Sequence, residues 1–311
     1  MPRVSPANTA DETSTTSTPP PPPPSRLRRI WLDWVKPILV VVLVVTLVRS
    51  SLLDWNDVPS GSMRPTIMEG DRIVVNKLAY GLNLPFNGPR IDVPLIGWSI
   101  ENNPLDALPG LLYSRPERGD IVTFWNPVSG IRMVKRVVAL PGEQVRVVDG
   151  RLQIRDVDGT PIPVTYENTD HRPYAAEPTA ARLAETRRGR RAIHGVDFAI
   201  EDLGGVRHFV QFLQQDGRWV PAGYENRFSP AGTQASGAWI TLQNGSNADA
   251  QYFVVGDNRD NSADSRTYQR DGVFVSGEDI TGKAKFIAVS FNGGWFRPAF
   301  SRWFSAFDAV D

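Results

Sequence analysis

The chain has 311 residues, enough for one large or two ordinary domains with length to spare for a tail and a helix. Lys+Arg and Asp+Glu both number 34, so net charge gives no hint of a nucleic-acid partner. The absence of cysteine excludes thiol nucleophiles, cysteine-ligated zinc and a disulfide scaffold.

Residues 1–25 are rich in Ser, Thr, Pro and Ala and end on the run Pro19 to Pro24, a composition that predicts a disordered tail with a stiff polyproline end. Arg26, Arg28 and Arg29 follow, then Trp31, Trp34, Lys36 and the apolar run Pro37 to Val48, closed by Arg49. That run alone falls short of the ~20 residues needed to cross a bilayer. Leu27 to Trp55 as a whole is long enough, provided Lys36 and Arg49 snorkel and the tryptophans sit at the interfaces. No Ala-x-Ala cleavage site follows, so residues 26–55 read as an uncleaved single-pass anchor rather than a removable leader. The arginine cluster places the N-terminus in the cytoplasm and everything after Trp55 on the outer side.

Directly behind the anchor stands VPSGSMRPTIMEGD, Val58 to Asp71. Ser60 and Ser62 flank Gly61, which supplies backbone freedom, while Pro59 and Pro65 fix φ and bar a continuous helix. Such an exposed turn presents a hydroxyl, but a serine hydroxyl is a poor nucleophile without an uncharged base beside it.

From Arg72 the pattern becomes one of short strands: Arg72 to Val75, Asp120 to Trp125, Ile131 to Leu140, Gln144 to Val148 and Gln251 to Val255. Gly, Pro and Asn separate them and no strong amphipathic helix intervenes, which predicts an all-β antiparallel architecture. The apolar, proline-rich stretch Leu82 to Glu117 reads either as a membrane-skimming hairpin or as ordinary surface packing. Residues 150–250 are polar and glycine-rich, with an Ala/Arg/Glu segment from Pro178 to Arg191 of helical composition, and read as an inserted subdomain dividing a core of 56–149 and 251–311. His171, His194 and His208 all fall there, without metal-ligand spacing, and read as surface or structural residues. Near the C-terminus, Phe296, Phe300, Trp303 and Phe307 recur at helical spacing, which predicts a short aromatic helix that either packs on the core, the preferred reading, or touches lipid.

Lysine stands only at 36, 77, 135, 283 and 285, so a lysine inside an apolar pattern is informative: once desolvated it sheds its proton, as arginine does not. As a strand, Ile131 to Leu140 puts Ile131, Met133, Lys135, Val137 and Ala139 on one face. Burial of Lys135 there would favour the neutral amine that a general base requires, although an edge lysine that snorkels would give the same periodicity.

The segment GDNRDNSADSR, Gly256 to Arg266, is the densest in hydrogen-bonding side chains. Asp260, Ser262, Asp264 and Asp271 approximate a calcium-loop spacing, but Ser265 occupies the position that needs glycine and no flanking helices are evident. A network of Asp–Arg pairs among Asp257, Asp264, Arg259 and Arg266 fits the composition better and leaves Ser262 for a role in a site.

The ordered set VPSGSMRPT, GDRIVVNKLAYG, RGDIVTFWNP, MVKRVVALPGE and GDNRDNSADSR resembles the membrane-bound type I signal peptidases, serine-lysine dyad proteases, from about Val58 to Phe291. The resemblance implies an antiparallel signal-peptidase β domain with a large β-rich insert behind a single transmembrane helix. It implies Ser62 as nucleophile, Lys135 as general base, Ser60 as side-chain oxyanion donor and Ser262 as the serine that holds the lysine. Val58 and Val134 match positions lining the substrate pockets; Asp264 with Arg266, Arg136 and Tyr80 match structural support. Also implied are a mechanism without metal or cofactor, secretory preproteins cut after small residues of Ala-x-Ala type, a phospholipid membrane as surroundings, and a monomer in the bacterial cytoplasmic membrane with its catalytic domain outside.

Tyr268-Gln269 stands where the family often has an aromatic-glycine pair, which puts the turn after the third cluster in doubt but not the dyad. Two rivals of other classes remain at this level, beside a specialised relative that processes a conjugation protein. A Ser-His-Asp hydrolase would need one of the three histidines at Ser62, and an anchored adaptor would bind signal peptides without cutting them.

Overall fold

The structure is a computed structural model of the chain, and it describes residues 25–81, 90–93, 98–101, 114–148, 150–169, 195–215, 218–219, 238–268, 274–291 and 298–307. The proline-rich tail, most of 82–117, the 178–191 segment, His171 and His194 lie outside the described residues. Contacts divide the chain into two units, 1–44 and 45–311.

In the first unit, Ser25 caps α1 (Arg26–Ile30) by accepting a 3.3 Å hydrogen bond from the Arg28 amide. A π-helical turn, Trp31–Val35, follows, and then α2 (Lys36–Ser51). Leu27, Ile30, Trp34, Ile38, Leu39, Val41, Leu43 and Val44 are all exposed, so apolar side chains project on every side of the helical stretch. Among the described residues no helix is long and apolar enough to cross a membrane. The π turn interrupts the α-helical hydrogen bonding, and α2 has 16 residues where about 20 are needed. Nor does the helix reach Trp55, as the sequence suggested. It ends at Ser51, because Leu53, Asp54, Trp55 and Asn56 alternate apolar and polar with the period of a strand, and β1 (Leu53–Asp57) pairs with β2 (Asp71–Asn76).

The second unit is built of antiparallel strands, in agreement with the all-β expectation. Its main sheet runs β1, β2, β17 (Ile280–Ser290), β5 (Ile121–Trp125), β6 (Arg132–Ala139), β15 (Gln251–Val255) and β16 (Val275–Ser276). The short pair β3 (Arg90–Val93) and β4 (Trp98–Glu101) forms a separate ribbon. A second sheet joins β14 (Ile240–Thr241), β7 (Gln144–Val148), β8 (Arg151–Arg155) and β9 (Pro161–Ile162), so one of its strands comes from before position 150. A third joins β10 (Val164–Thr169), β11 (Gly195–Leu203), β12 (Arg207–Gln215) and β13 (Arg218–Trp219).

Strand β6 is central to the site. It pairs with β5 on one side, opposing Lys135 to Val122, and with β15 on the other, where the register shifts between Phe253 and Val254. Both of its faces are covered: Val137 belongs to an apolar cluster with Val122, Phe124, Tyr252 and Val254, while Val138 and Ala139 belong to another with Val145, Leu152, Ile154 and Phe253. A third cluster of Val58, Met63, Ile67, Ile73, Val75 and Ile121 lies beneath the serine turn.

The aromatic helix expected near the C-terminus is absent from residues 298–307, which hold only a short 3-10 turn at Phe300–Arg302. The chain instead follows β17: the amides of Ile287 and Ala299 bond the carbonyls of Ser305 and Ser290 at 2.9 Å. Arg302, buried at 3% exposure, pairs with the fully buried Asp71, an arrangement that holds the segment extended. Phe307 packs on the core, whereas Phe300 and Phe304 are exposed.

Candidate active site

The turn after β1 is set by its apolar and backbone anchors. The amide of Val58 donates to the Asp71 carbonyl at 2.9 Å and the amide of Gly70 to the Val58 carbonyl at 3.1 Å, closing the loop at its base. Ser60 is extended at φ −131°, and Gly61–Met63 form one 3-10 turn with Gly61 and Met63 buried. Met63 and Ile67 are plugged into the cluster below, so Ser60 is left exposed and Ser62 partly so. The exposed turn that the sequence predicts is what this packing produces.

Lys135 enters from β6 with only 1% exposure, and its Nζ lies 2.6 Å from Ser62 Oγ and 2.9 Å from the Val134 carbonyl. Burial pushes the ammonium down to about 8, against partial opposition from the Asp264 and Asp257 carboxylates. About one lysine in ten is then neutral at pH 7, which gives a base in hydrogen-bond reach of its serine.

The polar cluster of 256–266 braces both residues. The Asn258 amide bonds the Ser62 carbonyl at 3.1 Å and its Nδ2 bonds the Gly61 carbonyl at 2.9 Å. Arg136, next to the lysine, grips Asp257 through Nε and Nη2 at 2.8 Å each and donates from Nη1 to the Gly119 carbonyl at 2.8 Å. Thr66 Oγ1 reaches the same Asp257 carboxylate at 2.5 Å. Burial would raise the Asp257 carboxyl, but Arg136, His208 and Thr66 together hold it below the usual carboxylate range. Arg266 forks onto Asp264 in the same way, at 2.8 Å through Nε and Nη2, and outweighs burial there too, so that Asp264 stays ionised. Tyr80 donates to Asp120 at 2.7 Å, and the Asp120 carbonyl accepts from the Val137 amide of β6 at 2.8 Å.

Ser262 is buried beside Gly256, but its hydroxyl forms no well-shaped hydrogen bond, although it lies near enough to the Asp264 carboxylate to help keep it charged. The lysine's second bond goes to Val134 and not to Ser262. Val58 and Val134 share the apolar cluster under the turn.

Several contributors carry a weaker sequence signal. Gly256 is one: a Cβ there would collide with the Ser62 carbonyl oxygen and with Ser262 Oγ, so the two loops touch only because it is glycine. Asn258 lies within the recognisable polar segment, whereas nothing local marks Glu201 or His208. Both are buried, with His208 Nε2 3.0 Å from Glu201 Oε2 and 3.9 Å from Asp257 Oδ1. Burial, and then Arg136, lowers the His208 pKa, and no hydrogen bond joins it to Ser62, which removes it as the base of a Ser-His-Asp triad. No group of His, Cys, Asp or Glu suited to hold a metal occurs among the described residues.

The family model of signal peptidase, peptidase S26, matches residues 31–289. Signal peptidase I of Pseudomonas fluorescens is 30% identical over 280 residues, 85% of this chain and 72% of that protein. That of Buchnera aphidicola subsp. Schizaphis graminum is 28% identical over 258 residues, 80% of this chain and 72% of its own. A crystal structure of a signal peptidase I from Enterococcus faecalis V583 aligns at 25% identity, covering 55% of this chain and 97% of that one, with a TM-score of 0.26, a superposition too loose to carry a structural statement. With a family match that spans most of its length, the chain belongs to the signal peptidase family, peptidase S26, and is a serine protease.

Proposed function

We propose that this chain is a membrane-attached serine endopeptidase that removes signal peptides from secretory preproteins, with Ser62 and Lys135 as its catalytic dyad. The carrying observation is the 2.6 Å separation of Lys135 Nζ and Ser62 Oγ around a lysine that is 1% exposed. Neutral Lys135 takes the serine proton as Oγ attacks the scissile carbonyl. The exposed Ser60 hydroxyl and the Ser62 backbone N–H stabilise the developing oxyanion. Lys135 then returns the proton to the leaving amine and activates the water that releases the acyl group. Asp264–Arg266 and Asp257–Arg136 keep the negative charges near the lysine neutralised, so that burial dominates its titration.

Val58 and Val134, in one apolar cluster beside the dyad strand, support shallow pockets for the small side chains of an Ala-x-Ala site. Membrane attachment is assigned to the helical stretch that begins at Arg26, whose apolar side chains from Leu27 to Val44 are exposed round the helix and need apolar surroundings. Arg26, Arg28 and Arg29 ahead of it favour a cytoplasmic N-terminus with the β unit on the outer side of the bacterial cytoplasmic membrane. Tethering enzyme and precursor to the same bilayer raises their effective concentration, and a monomer suffices for the chemistry.

The test is cleavage of a secretory precursor in lipid or detergent by the wild type, Ser62→Ala and Lys135→Arg, with folding verified for each. Arginine keeps the charge but accepts no proton, so both variants are expected to be folded and inactive. A folded Lys135→Arg that cuts normally would place the base elsewhere.

A further inference from the structure

The strands inserted between β9 and β14 reach the serine turn through one buried loop. We propose that β11 and β12 form a positioning device for Ser62: the Glu201–Arg259 pair and the Gln211 amide fix residues 257–259, and these fix the turn. The inference rests on the dyad reading above.

Three consecutive residues each face both ways. Arg259, 2% exposed, donates from Nη1 to Glu201 Oε1 at 2.5 Å and from Nη2 to Glu201 Oε2, and its Nε returns to the Gly256 carbonyl at 3.2 Å. Asn258, one residue earlier, lies in a parallel bridge with Gln211 of β12, and on its other side holds the carbonyls of Gly61 and Ser62. Asp257 accepts the Gln211 amide at its carbonyl, at 2.8 Å, while its carboxylate binds Arg136 and Thr66. His208 lies between the Glu201 and Asp257 carboxylates. Every path from the insert to the dyad through this loop therefore passes by way of residues 257–259.

Stability gives little reason for such a pair. Removing a guanidinium and a carboxylate from water costs about as much as their attraction returns, so an apolar pair of the same volume would hold β11 and the loop together as well. What the pair adds is direction: a planar fork on a carboxylate fixes angle as well as distance. The groups it orients bind main-chain carbonyls of the nucleophile turn. Val58 and Val134, assigned above to the substrate pockets, are held by the apolar cluster beneath the turn and by none of the hydrogen bonds of this pair. Loosening the pair should therefore displace the hydroxyl relative to Lys135 and the scissile bond without weakening precursor binding.

The experiment uses the full chain in lipid or detergent, with Glu201→Gln, Glu201→Asp, Arg259→Lys and Lys135→Arg beside the wild type. Precursor cleavage is measured at steady state, and active sites are titrated with a serine-directed acylating inhibitor so that kcat refers to competent enzyme only. Glu201→Gln and Arg259→Lys are expected to lower kcat per titrated site about 10- to 100-fold, the scale of a misplacement near 1 Å, with KM within about twofold of wild type. Glu201→Asp, which keeps the carboxylate, should recover part of that loss. If Glu201→Gln does not fold, Arg259→Lys, which keeps the charge and loses the fork, decides. A kcat per site within about twofold of wild type in the folded variants overturns the proposal, as does a raised KM at unchanged kcat, which would make the insert a binding element. An inactive wild type, or an active Lys135→Arg, would instead sink the dyad reading. With the wild type active and Lys135→Arg dead, a silent Glu201→Gln sinks only the positioning role.

Discussion

In Lys135→Met a buried amine is exchanged for an uncharged side chain of similar length, and the consequence for stability can be worked out from the site. Lys135 is 1% exposed, and burial takes its ammonium from 10.5 to about 8. At about 1.4 kcal/mol per pH unit, the charged form is disfavoured in the folded state by about 3 kcal/mol. Below pH 8 the lysine carries its proton both folded and unfolded, so the wild type bears the whole penalty. Between about pH 8 and 10.5 the unfolded chain binds more protons than the folded one, and stability rises with pH; above that window the penalty is gone. Methionine removes the penalty but also loses the bonds to Ser62 and the Val134 carbonyl, each worth about 1 kcal/mol net. The variant should thus be more stable than wild type by about 1 kcal/mol at pH 7 and, once the penalty is gone above about pH 10.5, less stable by about 2 kcal/mol, while precursor cleavage is lost. Urea unfolding at pH 7, 9 and 10.5 measures it. A variant less stable than wild type at pH 7, or a gap that does not change with pH, would refute the claim that this lysine is held desolvated.

The same titration sets activity: kcat/KM should rise with unit slope up to about pH 8 and level off above it, lying about 100-fold below the plateau at pH 6, and a limb near pH 6.5 would instead point to a histidine. Ser60→Ala should lower kcat by about 10²- to 10³-fold with little change in KM, since its hydroxyl is needed only as the oxyanion forms; a KM effect alone would make Ser60 a ground-state binder. Gly256→Ala should inactivate, because the added methyl meets the Ser62 carbonyl and Ser262, and full activity in that variant would show that the two loops can separate at no cost.

Much of the site was legible because its parts are local. Glycine between two serines and prolines on either side predict an exposed turn that presents a hydroxyl, and the chain turns there at Gly61–Met63, with Ser60 exposed and Ser62 partly so above the buried Met63 and Ile67. The period-two pattern marked β6 and singled out Lys135 as the lysine that burial would change, but could not separate a buried amine from one snorkelling at an edge. Pairing of β6 with β5 on one edge and β15 on the other decides that, by making it an interior strand whose faces are covered by apolar clusters. Helical spacing misled near the C-terminus, where ladder bonds to β17 and the Arg302–Asp71 pair outweigh local periodicity.

The sequence by itself determined the turn, the strand, the polar segment Gly256–Arg266 and the all-β class, because each depends on neighbours within a few residues. Only the tertiary structure decided that Lys135 meets Ser62 across 73 positions, that Asn258 holds the turn, and that Glu201 and His208 lie buried behind it. Those contacts join segments far apart in the chain, where composition and periodicity carry no information about which side chains will share a dry interior.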